Sequence, residues 1–167
     1  METTMQIGEG FVGEGVDAAH VNTVLGDRSG PVGAAWAAGL AGPSMGHAGF
    51  MVVGQPGIAA VPPTLFVNKA PIENPGHGLL TWGPAQAGVA KGVALALEEG
   101  VIEAAGAAGL VLIAAVWVNP SAADTQAVFA NNTVATLQAL RNGREGRPSV
   151  ADAMAAGLSP WNPFFRP

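Results

Sequence analysis

The sequence predicts a single α+β domain spanning residues 1–167. Three observations lead there: β-prone stretches group early, longer helical repeats come later, and neither a composition break nor an internal repeat divides the chain. At 167 residues the chain is long enough for one hydrophobic core. Its apolar fraction of 49% is ordinary, but only 11% of its residues are charged, against about 25% in a typical soluble domain. So few charges cannot cover a monomer's surface in the usual way, and part of that surface is expected to be buried between subunits.

Gln6 to Val12 and Ala18 to Leu25 read as strands, with Gly13-Glu14-Gly15 as the bend between them. Strand side chains alternate, so His20, Asn22 and Val24 share one face and Val21, Thr23 and Leu25 the other. The second set is more apolar and is expected to face the core, turning His20 and Asn22 toward a cleft or a neighbouring subunit. Gly30-Pro31 opens a helix from Val32 to about Ala41, with Pro where a missing N–H costs nothing. Phe50 to Val53 and Thr64 to Asn68 read as strands joined by a Gly- and Pro-rich loop, and Asn74-Pro75-Gly76 marks a turn reaching Gly78.

The clearest helix follows, with Pro84 at its start, Val89, Val93 and Leu97 at helical spacing, and Gly100 at its end. Leu110 to Val118 reads as a buried strand, and Ala123 to Leu140 as a third helix. A last helix covers Ser149 to Ala156, where Ser149 and Asp152 stand close to a capping box. The aromatic, Pro-rich tail from Trp161 to Pro167 is expected to dock on a surface.

Composition excludes several functions. A net charge of −5 with scattered basic residues argues against a nucleic-acid partner, and Arg141, Arg144 and Arg147, mixed with Glu145, read as a solvated helix exit. Zero cysteines exclude disulfides, thiolate catalysis and sulfur-based zinc sites. Met1-Glu2-Thr3-Thr4 carries no signal-peptide pattern, and the longest apolar run is far short of the roughly 20 residues of a membrane helix. A cytoplasmic protein without a membrane partner is the expectation.

Three places can carry chemistry. His20 is the titratable residue of its strand face, and an imidazole exchanges protons near neutral pH; a backbone-satisfied histidine is the plainer alternative. Lys69 follows Asn68 at a strand end, where it can orient a carbonyl-bearing ligand, form an imine with an aldehyde, or lie on the surface. Gly83-Pro84-Ala85-Gln86 offers free backbone N–H groups if a helix starts there. His47 and His77 match no compact ligand spacing with His20, so no metal site is expected.

Taken in order, these stretches resemble formaldehyde-activating enzymes from about Gln6 to Phe164. The resemblance is carried by Gly8-Glu9-Gly10-Phe11-Val12-Gly13-Glu14-Gly15, Ala19-His20-Val21, Gly30-Pro31, Phe66-Val67-Asn68-Lys69 and Trp82-Gly83-Pro84-Ala85-Gln86. Asn119-Pro120, Asn131-Asn132-Thr133 and Asn162-Pro163-Phe164 add to it. It implies an α+β fold akin to domain 2 of ribosomal protein S5, a ring-shaped homopentamer, and a site between adjacent subunits. The implied reaction joins formaldehyde to tetrahydromethanopterin, giving the methylene derivative and water. The pterin is then a substrate, and no tightly bound cofactor or metal is implied.

The family's catalytic histidine falls on His20, and its pterin-contacting positions fall on Asn22, Met51, Lys69, Pro71 and Gln86. Two of these depart from the family pattern. Asn22 replaces an aspartate, whose carboxylate would favour an imidazolium at His20. Pro71 replaces a threonine and has neither hydroxyl nor backbone N–H to offer. A non-catalytic relative that binds formaldehyde or a pterin, as sensor or carrier, is the alternative.

Overall fold

The computed structural model describes residues 5–167; the reading of Met1-Glu2-Thr3-Thr4 lies outside them. Strands β1 (Gln6–Val12) and β2 (Ala19–Asp27) pair antiparallel. Helix α1 (Pro31–Ala41) and strands β3 (Phe50–Met51), β4 (Val53–Gln55), β5 (Ile58–Ala59) and β6 (Thr64–Asn68) follow. Then come α2 (Pro75–Leu80), α3 (Gln86–Glu98), β7 (Leu110–Trp117), α4 (Thr125–Glu145) and α5 (Val150–Leu158). Five strands make one sheet in the order β1-β2-β7-β6-β3, with β6 parallel to β7 and the other pairs antiparallel; β4 and β5 form a separate hairpin. The architecture is a mixed α+β domain.

The alternation read in β2 is present. Val21, Thr23 and Leu25 are buried, while His20, Asn22 and Val24 are half-buried on the other side. The buried face continues through Leu112, Ala114 and Val116 of β7 and Phe66 of β6, and α3 and α4 close over it with Val89, Val93, Val128 and Leu140. Each such large side chain stabilises the fold by about 1.5–3 kcal/mol. On β1 this face carries Gly8 and Gly10, whose absent Cβ atoms would run into the backbone of Ala139 and Ala135 in α4. The two glycines let a helix backbone lie directly on a strand. α1 covers half of the opposite face, where Val32 fits over Gly26 and Leu65 fits beneath Gly39.

Several local readings are corrected. Asn74-Pro75-Gly76 does not turn the chain but starts α2: the Asn74 side chain accepts from the His77 N–H, and Pro75 takes the first turn. The same residue types serve turns and helix starts. α2 runs through a wide π turn, Thr81–Ala85, straight into α3, so Pro84 lies inside a helix rather than at its start. The π turn accommodates the missing proline N–H. It also removes the free N–H groups expected at Gly83-Pro84-Ala85-Gln86, because the Gln86 N–H is bonded to carbonyls within the helix.

The strand expected over Phe50 to Val53 breaks at Val52, and its continuation turns back as the β4–β5 hairpin through Gly57 at φ +82°. α4 outruns its predicted end and stops where Gly146 takes the left-handed conformation at φ +63°. The arginines there are not merely solvated. Arg144 donates to the Val101 carbonyl at 2.8 Å and to that of Gly100, and Arg141 pairs with Glu99. They tie the end of α4 to the end of α3. The Ser149–Asp152 capping box is complete, although no residue of α5 is buried.

Candidate active site

The half of the sheet face left open by α1 brings together residues distant in sequence. In the β1–β2 register Glu9 stands opposite Asn22 and Phe11 opposite His20. On the other side of β2, Ala115 of β7 pairs with Asn22 and Trp117 with His20. β6 extends the ladder one step beyond Asn68, where the Lys69 N–H donates to the Val116 carbonyl at 2.8 Å. The lysine must cross β7 to reach β2, and the β7 residue level with Asn22 is the small Ala115.

The four polar groups form one chain. The Lys69 Nζ donates to Asn22 Oδ1 at 2.6 Å and lies 3.2 Å from His20 Nδ1, while His20 Nε2 lies 3.1 Å from Glu9 Oε1. Lys69 as donor makes Nδ1 the acceptor, so neutral His20 carries its proton on Nε2, toward the carboxylate. Burial pushes the His20 pKa below its ordinary value, and the Lys69 charge pushes the same way; the charge and hydrogen bond of Glu9 oppose both. Burial also lowers Lys69, to about 8, against the pull of Glu9. Neither partner of Lys69 is a carboxylate, so its ammonium gains little in return for lost water.

His20 and Glu9 line a cleft of about 1080 Å³. Its walls include Phe11 and Trp117 on the sheet and Trp161, Pro163 and Phe164 on the tail. The tail reaches this cleft with Phe164 edge-on to Trp117 at 5.7 Å, but Trp161 to Pro167 all remain exposed, so the tail touches the surface expected to hold it without being buried there. The cleft's size and its aromatic lining with a few polar groups suit a large heteroaromatic ligand.

The remaining candidate residues lie apart from this cluster. Met51 is 42% exposed on the edge strand β3. Pro71 packs against the loop at Gly46, whose φ is +74°. Gln86 Oε1 accepts from the Val53 N–H at 2.7 Å, which ties α3 to β4. Asn68 holds the same corner, donating to the carbonyls of Gly46 and Ala70. His47 donates through Nδ1 to the Asn68 carbonyl at 2.8 Å. His77 is buried, donating through Nε2 to the Val118 carbonyl at 3.0 Å and accepting from the Glu73 N–H at 3.4 Å. Among the described residues no group of three or more His, Asp or Glu side chains is placed to hold a metal.

Glu9 is the member of the cluster that the sequence reading missed. Its signal was a carboxylate between two glycines in a strand, where the glycines mark the packed face and Glu9 the open one.

The model of the family described as formaldehyde-activating enzyme matches residues 7–164. A 5,6,7,8-tetrahydromethanopterin hydro-lyase of Methanosarcina barkeri is 39% identical over 158 residues, covering 95% of this chain and 89% of the relative. Bifunctional enzymes Fae/Hps of Methanocella arvoryzae and Methanothrix thermoacetophila are each 41% identical, over 87% and 86% of this chain. The chain spans only 37% of the length of either bifunctional relative. By the extent of these matches, the chain belongs to the formaldehyde-activating enzyme family.

Proposed function

We propose that this protein condenses formaldehyde with tetrahydromethanopterin, releasing water, with His20 as the general acid. The observation that carries the reading is the placement of His20 between Glu9 and Lys69 at the wall of an aromatic cleft. A pterin nitrogen adds to the aldehyde carbon, and the hydroxymethyl adduct then loses its hydroxyl. Protonation converts that hydroxyl into water as it leaves, and the second pterin nitrogen closes on the carbon. Burial and the Lys69 charge make an imidazolium at His20 a stronger acid than a free one, while Glu9 restores part of its population. Asn22 and Lys69 offer polar contacts to the pterin beside it, and Met51, Pro71 and Gln86 supply further contacts from an adjacent subunit.

The same reading includes a ring-shaped homopentamer in the cytoplasm, with residues 1–167 as one domain related to domain 2 of ribosomal protein S5. A sheet with two helices on one face supports the fold relationship. Assembly is supported by α5, which exposes Val150, Met154 and Leu158, and by exposed Leu79 and Trp82. Light scattering coupled to size exclusion tests it, and a monomer at micromolar concentration removes the intersubunit site.

The activity is tested by following pterin consumption with formaldehyde against the spontaneous condensation at matched concentrations. Acceleration above the spontaneous rate is expected, with His20→Ala losing about 10²-fold or more of it while pterin affinity is kept. A wild-type rate equal to the spontaneous one returns the protein to the sensor or carrier reading.

A further inference from the structure

We propose that Lys69 is a covalent capture site for the aldehyde, its amine taking up the one-carbon unit as an imine before the acceptor receives it. The inference deepens the condensation reading and rests on formaldehyde being the substrate. Its ground is the geometry of the Lys69 nitrogen. Asn22 Oδ1 at 2.6 Å and His20 Nδ1 at 3.2 Å take two hydrogens. A neutral amine held this way has its lone pair directed away from both partners and free to attack. In the ammonium form a third N–H occupies that position instead.

The surroundings favour the amine. Lys69 is half-buried, its nearest partners are an amide and an imidazole, and among the described residues it joins no ion pair. Its pKa near 8 agrees with this placement. At pH 7 such a lysine is about one-tenth free amine, some two orders of magnitude more than a lysine titrating near 10.4. Desolvation is a recognised way to make a lysine nucleophilic toward carbonyls.

The chemistry balances without an outside reagent. The lone pair forms the N–C bond while the C=O π pair moves onto oxygen. Both N–H protons end on that oxygen, one of them by way of His20 Nδ1. The C–O bond then breaks with its electron pair, water departs, and N=CH₂ remains on Lys69. An acceptor with two N–H groups adds to this carbon twice, returns its two protons to the lysine nitrogen and leaves as the methylene-bridged product. Direct attack on free formaldehyde is thereby replaced by transfer from an activated imine, and His20 serves the dehydration in either route.

The sequence supplies its own control, because Lys69 and Lys91 are the chain's two lysines. Lys91 is exposed, with its Nζ 5.4 Å from the Phe129 ring centre. The intact protein is treated at pH 7 with isotopically labelled formaldehyde and cyanoborohydride, which reduces imines to N-methyl groups. It is then digested and read by mass spectrometry. Lys69 is expected to gain the label about tenfold or more faster than Lys91, because its desolvated nitrogen is held by two hydrogen bonds that leave the lone pair to the aldehyde. Equal rates, or Lys91 ahead, overturn the proposal.

Lys69→Arg separates this inference from the condensation reading, because arginine keeps the charge and cannot form the imine. Loss of acceleration in that variant, with pterin affinity retained, supports capture. Undiminished acceleration overturns capture and leaves the condensation standing. Selective labelling of Lys69 in a wild-type protein that gives no acceleration sinks the condensation reading instead and keeps Lys69 as an aldehyde-binding site.

Discussion

The two faces of β2 obey opposite rules although their residues alternate along one strand. Val21, Thr23 and Leu25 lie in a sealed layer where shape decides everything. His20 and Asn22 lie one residue away from them and belong to a half-open polar chain where charge and proton position decide. β1 repeats the division, with Gly8 and Gly10 pressed on α4 and Glu9 facing the cleft. A rigid packed face is what holds the polar face in register: no loop lies between the α4 contact and the His20 side chain. Precision at the site is therefore expected to depend on packing beneath it.

The largest effect comes from breaking the sealed face. Gly10→Ala puts a methyl group into the Ala135 carbonyl of α4, and β1 must lift. A loss of about 2–3 kcal/mol in urea unfolding is expected from such overpacking. Activity should fall with it, because Glu9 moves with the strand. A loss below about 0.5 kcal/mol, the ordinary range for a surface change, would show that the backbone contact carries no weight.

The open face should answer in the opposite way. Glu9→Gln removes the group that holds the His20 pKa up against burial and Lys69, so the acid form becomes scarcer near neutral pH. Turnover is expected to fall roughly tenfold, a part of the ~10²–10⁴ a positioned acid supplies, with the unfolding midpoint unchanged. The alkaline limb of the rate profile, where His20 loses its proton, should move to lower pH. An unmoved limb would take Glu9 out of the chain.

Asn22→Asp should give the smallest change and the most specific one. The Asn22 oxygen meets Lys69, not His20, so the carboxylate acts first on the ammonium and raises the Lys69 pKa from about 8. Titration of the Lys69 side chain by NMR measures this directly. Labelling of Lys69 by formaldehyde should slow, while the His20 resonances shift less. A larger shift at His20 than at Lys69 would contradict the hydrogen-bond order found here.

The sequence alone conveyed what depends on near neighbours. Alternation in β2 and the Ser149–Asp152 capping box are set by residues two or three apart, and both are present. The meeting of His20, Asn22 and Lys69 depends instead on β6 running parallel to β7, across more than 40 residues of chain. No local pattern encodes that pairing; the family resemblance supplied the three residues together. Glu9 sits in a stretch that reads correctly as a strand, but its partner His20 lies on the neighbouring strand, and the β1–β2 register that joins them is not local. Asn74-Pro75 reads as a turn because helix starts and turns draw on the same residues.

The indole beside His20 gives the protein a built-in optical gauge. The chain has no tyrosine and four tryptophans, so its ultraviolet emission comes from indole alone. Trp82 is largely exposed and Trp161 lies on the tail side of the same cleft, whereas Trp117 is half-buried at its sheet wall with Phe164 against its edge. Anything entering the cleft must change the polarity around that ring or absorb the light it emits. The spectrum of Trp117→Phe, subtracted from that of the native chain, therefore isolates the occupancy of one site without an attached dye.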